Sequence, residues 1–218
     1  MGDFMDLTKV LPKVFLWMFL GLAITFGIAY YVSTNDNMVY NLFAGKKYLI
    51  FWIIELVIVL VLSLKIRSLN PITAKIMFIA YSGITGLTLS SVFILYEIMS
   101  IVYVFAITAG LFLIFGLIGY FAKIDLTRIG TYLLMALLGI IIAGIINMFV
   151  GSETFDLGLC IVGIVLFLVY IVYDVQLLKR NMYGIDNEDN LAIYSALQLY
   201  LDFINIFLRL LRLLGKRK

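Results

Sequence analysis

Apolar runs of about twenty residues recur along the whole chain, and no other feature constrains its fold so tightly. A helix of about 20 apolar residues crosses a hydrocarbon layer about 30 Å thick. Seven such runs stand out, near residues 13–33, 47–66, 72–95, 100–121, 129–150, 156–178 and 191–214. Inside a bilayer the backbone must satisfy its own hydrogen bonds, so each run is expected to be a helix. Of the 218 residues, 64% are hydrophobic and 13% are charged. A soluble domain is about 45–50% apolar and about 25% charged, so too little polar surface is present to coat a water-exposed globule. The sequence predicts one all-α membrane domain over residues 1–218. Pro12 and Pro71 fall at the starts of the first and third runs, where proline suits a helix.

What is missing narrows the chemistry. The chain has no histidine and one cysteine, Cys160. That removes a Ser-His-Asp site, a histidine metal site, a histidine proton relay and an internal disulfide. No G-x-G-D-type motif accompanies any intramembrane aspartate, and the last run has no mid-membrane lysine for a Schiff base. An enzyme and a light receptor are therefore disfavoured, and no cofactor is expected. The start, "MGDFMDLTKVLPKV", carries two acids and no cleavage motif, so the first run reads as a retained helix.

The net charge is only +3, and its excess lies in short loops and the tail, which points to topology rather than nucleic acid. Seven spans put Lys9, Lys13, Lys65, Arg67, Lys75, Lys123, Arg128, Lys179 and Arg180 on one side. Lys46 and Lys47 fall on the other, with the basic end Arg209, Arg212, Lys216, Arg217 and Lys218. The loops place the N-terminus in the cytoplasm, and the basic tail conflicts with them. The expected location is a bacterial plasma membrane.

Ionisable residues within the runs are costly and are functional candidates by default. Asp174 interrupts "LVYIVYDVQLLKR" before the run ends at Lys179 and Arg180. A plain reading pairs it with one of those cations. The last run suggests another partner. In "LAIYSALQLYLDFINIFLRLLRLLGKRK", Ser195, Gln198, Asp202, Asn205, Arg209 and Arg212 fall within an arc of roughly 100° on a helix. That polar stripe suits a helix facing a water path. Antiparallel packing of the last two runs would bring Asp174 and Asp202 to similar depth. Two carboxyls in one low-dielectric site would share a proton and could titrate near neutral pH. Glu55 lies in the middle of the second run, with Arg209 or Arg212 as candidate cations. Arg67 closes that run beside Lys65, on the side where Asp174 emerges. The acids of the loop "RNMYGIDNEDN" read as a solvated turn.

These residues resemble the transmembrane Bax inhibitor motif family. The likeness lies in "YIVYDVQLL" and "ALQLYLDFINIFLRLLRLLG", supported by the small-residue "GITGLTLSSVF" of the third run. It implies a seven-helix bundle with the last helix enclosed, and a pH-responsive calcium leak. It further implies that Asp174 and Asp202 are the di-aspartyl sensor. Glu55 would be the acid of the second helix, Arg212 its cationic partner, and Arg67 a base that can pair with the first aspartate, with Lys65 close by. Val175 stands where the family often has threonine.

The leading expectation is a calcium leak gated by this pair, with Asp174 and Asp202 also able to hold the calcium ion. Ser195, Gln198 and Asn205 would line the path, and protons, calcium and lipid would be the partners. The alternatives are a proton-coupled secondary transporter and a non-transporting regulatory membrane protein.

Overall fold

The structure is a computed structural model that describes residues 7–43, 48–180 and 183–218. Residues 1–6 of the expected retained start, and Lys46 and Lys47 of the orientation argument, lie outside the described residues. The helices are α1 (Leu7–Ser33), α2 (Asp36–Phe43), α3 (Tyr48–Lys65), α4 (Pro71–Leu95), α5 (Ile98–Phe121), α6 (Gly130–Val150), α7 (Glu153–Lys179) and α8 (Glu188–Leu214). A 3-10 turn, Thr127–Ile129, leads into α6.

Among the described residues, six helices are long and apolar enough to cross a membrane: α1, α4, α5, α6 with its leading turn, α7 and α8. The expected second run corresponds to α3, of 18 residues. Large apolar side chains stand outward in numbers that water would not tolerate, Phe149 at 87% exposure and Met148 at 82% among them. The chain is an integral membrane protein.

Local sequence sets the ends. Asn70 accepts a hydrogen bond from the Ile72 N–H, with Pro71 at the first helical position of α4. Ser152 caps α7 through the Phe155 N–H. One boundary differs from expectation. α1 begins at Leu7, so Pro12 lies inside it rather than at its start. Pro12 is the sixth residue of the helix, past the opening N–H groups that lack helical partners, so it forgoes one backbone bond.

The chain divides into two compact units. The first holds residues 1–97, 183–200 and 217–218, and thus α1–α4 with the start of α8. The second holds residues 98–182 and 201–216, and thus α5–α7 with the rest of α8. The first unit thus holds α1 and α4 of the six long helices, with the shorter α3, and the second holds α5, α6 and α7.

In the first unit α1 and α4 are in close contact. A Cβ on Gly86 would lie 2.7 Å from the Thr25 carbonyl oxygen and 2.9 Å from the Ile28 Cβ, so only glycine permits this approach. Trp17 meets Phe78 edge-on, and Phe78 in turn meets Tyr200 of α8. In the second unit Leu133, Ile140 and Leu166 join α6 to α7. Phe203 of α8 packs against Phe105 and Phe112 of α5.

α8 is the most covered span: 72% of it is buried, against 17–44% for the other five. It is tied to α4 at both ends. Asp189 pairs with Lys75 at 2.6 Å near the start of α4. Beyond the end of α8, the Lys218 N–H donates to the Leu95 carbonyl at 3.0 Å. α8 thus begins beside the start of α4, and the residues after it return to the end of α4. That bears on the basic tail, whose last residues reach the opposite end of α4 from Lys75.

Gly86→Ala is expected to destabilise the protein by about 1–3 kcal/mol, the usual cost of overpacking. A lowered thermal midpoint in detergent would report it. Gly27→Ala, on the same α1 but with nothing within 4 Å of the added carbon, should not lower that midpoint.

Candidate functional site

Asp174 lies five residues before the end of α7, and Asp202 lies in the second half of α8. Both are 4% exposed. Their side chains are hydrogen-bonded to one another, while Asp202 Oδ2 is buried with no hydrogen-bond partner among the described residues. A buried carboxyl oxygen without a donor is expensive, which marks the place as one where a proton, water or cation is wanted.

The cations near Asp174 in sequence are held elsewhere. Lys179 donates to the Tyr120 carbonyl at 2.6 Å and sits over the Tyr120 ring. Arg180 pairs with Asp125 at 2.7 Å. Gln176, 3% exposed, donates to the Ile124 carbonyl at 2.7 Å and accepts from the Leu126 N–H at 2.9 Å. The end of α7 is thereby stitched to the end of α5 and the loop after it through Gln176, Lys179 and Arg180. These fix the rotation of the helix that carries Asp174. The Thr127 hydroxyl, then Arg180 and the Thr127 N–H, hold the Asp125 carboxyl down to about 2.

The rest of the stripe on α8 is distributed along both units. Ser195 is buried, and its hydroxyl has no partner among the described residues. Gln198 is half-buried. Asn205 turns back to donate to the Leu201 carbonyl at 2.8 Å. Arg209 donates to the Leu159 carbonyl at 3.3 Å and lies over the Phe167 ring. Its guanidinium occupies the space beside Gly163, where any Cβ would collide with it. Arg212 forms an ion pair with Asp156 of α7.

In the first unit, Arg67 donates to the Tyr183 carbonyl at 2.7 Å. Glu55 accepts from the Thr88 hydroxyl at 3.1 Å and also bonds Thr85. The loop acids include one that is not simply solvated: Asp189 joins Lys13 at 3.0 Å to Lys75, with Glu188 3.6 Å from Lys13. Sequence reasoning missed Asp156, Gln176, Asp189 and the hydroxyls around Glu55. Asp156 and Asp189 carried a local signal, each an acid in the first turn of its helix.

Six apolar spans and a carboxyl pair enclosed between two of them define a polytopic membrane protein with an intramembrane acid site. The family described as inhibitor of apoptosis-promoting Bax1 matches residues 7–218. The chain belongs to this Bax inhibitor family. It is 41% identical to the inner membrane protein YbhL of Escherichia coli over 97% of this chain and 93% of that one. A protein of Borreliella burgdorferi is 40% identical over 96% and 93%, and one of Rickettsia prowazekii 35% identical over 97% and 91%.

The loop stitching predicts a titration. Asp125 has a depressed carboxyl, so the stability it lends is present above the ordinary aspartate value of about 3.9 and is lost as pH falls toward about 2. Carboxyl NMR of the intact protein should place its midpoint near 2. Thr127→Val should move that midpoint upward further than Arg180→Gln does.

Proposed function

We propose that this protein is a pH-sensitive calcium leak, gated by a proton shared between Asp174 and Asp202. The observation that supports the reading is the mutual hydrogen bond of two buried carboxyls whose sequence-adjacent cations are engaged with Tyr120 and Asp125. While one proton is shared, the pair ties α7 to α8. Loss of that proton leaves two like charges in a low-dielectric site, and they repel. The freed carboxylate oxygens suit calcium, which takes oxygen ligands in flexible geometry. Ser195, Gln198 and Asn205 line the route. In this reading the chain crosses seven times, α3 included, with its N-terminus in the cytoplasm, as the lysine and arginine bias favours.

The test is calcium entry into vesicles holding the purified protein, from about pH 5 to about pH 8, a range in which a coupled carboxyl pair can titrate. The wild type should show passive flux that rises with pH. Asp174→Asn with Asp202→Asn should flatten that profile. A wild-type profile in the double variant would sink the proposal. Saturable uptake with proton counterflow would point to a transporter instead.

A further inference from the structure

Glu55 sits in a setting of its own within the first unit. It is half-buried on α3, in a run that otherwise faces lipid with Trp52, Ile53 and Leu56. Its bonds are to Thr88 and Thr85 of α4, and no cation joins them among the described residues. An ionised carboxylate without a cation is disfavoured in hydrocarbon.

Counting hydroxyl protons sharpens this. Thr88 Oγ1 lies 3.1 Å from Glu55 Oε1 and 3.0 Å from the Thr85 carbonyl oxygen. A hydroxyl has one proton to give. If that proton goes to the carbonyl, the contact with Glu55 needs a proton supplied by Glu55 itself. If Glu55 is ionised, the hydroxyl must turn toward it and release the carbonyl. Thr85 faces the same choice, between the Tyr81 carbonyl at 3.0 Å and Glu55. Either release costs little, since both carbonyls lie inside α4 and keep their helical bonds.

The hydroxyls continue inward. The Thr85 hydroxyl also lies near the phenol groups of Tyr81 and Tyr200. Tyr200 is wholly buried, and its hydroxyl lies 2.7 Å from Thr25 Oγ1, which in turn donates to the Ser82 carbonyl at 2.9 Å. With the Thr25 proton committed to Ser82, Tyr200 is the donor to Thr25. The row runs from α3 through α4 to α8 and α1. The titratable groups that face Glu55 are Tyr81 from α4 and Tyr200 from α8, and α1 brings only the Thr25 hydroxyl.

We propose that Glu55 is a proton-binding site in its own right, and that Thr88 and Thr85 report its occupancy to α4 by turning their hydroxyl bonds. When Glu55 holds the proton, it donates to Thr88, and both threonines bond back to α4. When the proton leaves, both hydroxyls swing to the carboxylate, and the Tyr81 and Thr85 carbonyls lose their second donors. The ligand is a proton alone, and the site does not depend on the aspartate pair.

The experiment is an infrared pH titration of the full chain in lipid nanodiscs, with glutamate carboxyls carbon-13 labelled to separate them from aspartates. A protonated-glutamate carbonyl band is expected at about pH 7, where an exposed glutamate is ionised. It should vanish in Glu55→Gln and persist in Asp174→Asn with Asp202→Asn. Thr88→Val should shift its frequency, and Thr88→Ser should restore it. Tyr200→Phe should shift it less. If Glu55→Gln does not fold, the Thr88 pair decides alone. A band absent from the wild type, retained in Glu55→Gln, indifferent to Thr88→Val or lost with the aspartates would overturn the proposal. None of these results depends on calcium flux, so the leak and the proton site fail separately.

Discussion

Hydrocarbon offers no hydrogen bonds, and the organisation of this protein follows from that. The backbone answers by forming helices throughout its apolar runs. The side chains answer in a more particular way. Buried polar groups find partners in their own helix, in another helix or in a loop, and Ser195 finds none among the described residues. Gln176 satisfies both ends of its amide on one loop. Asn190 donates to the carbonyls of Ile66 and Leu69 at 2.9 and 2.8 Å, fastening the start of α8 to the turn after α3. Asp202 has a single carboxyl partner and one oxygen left over. The exceptions matter because so much of the rest is settled.

The sequence made the spans legible because a long apolar run in one chain has few other uses. The polar stripe on α8 was legible for a related reason: helical periodicity places Ser195, Asp202, Asn205 and Arg209 on one side without any knowledge of neighbours. What periodicity does not carry is which helix faces that side. The hydroxyl row around Glu55 joins residues from four helices, and its threonines look like ordinary small residues for close packing. Arg212 finds Asp156 fifty-six positions away, a pairing that charge alone does not single out. Asp189 was hidden by its setting, since an acid in a turn-rich loop normally meets water.

Small residues divide into two kinds that composition does not separate. Gly86 lets two backbones meet, whereas Gly163 makes room for a charged side chain. Both stand in runs that suggest packing. Only the second positions a cation, and a substitution there would displace the Arg209 guanidinium rather than spread the helices.

The Asp189 contacts carry a consequence for how the protein is made. Asp189 and Asn190 belong to the last helix, yet they fasten Lys13, Lys75 and the turn between α3 and α4. During synthesis α1–α4 enter the bilayer long before that helix exists. Until it emerges, two lysines wait at the membrane edge without their shared acid, and the α3–α4 turn lacks its clasp. The first unit is thus begun early and completed last. A chain released before residue 189 would carry most of that unit's helices and not the contacts that close it.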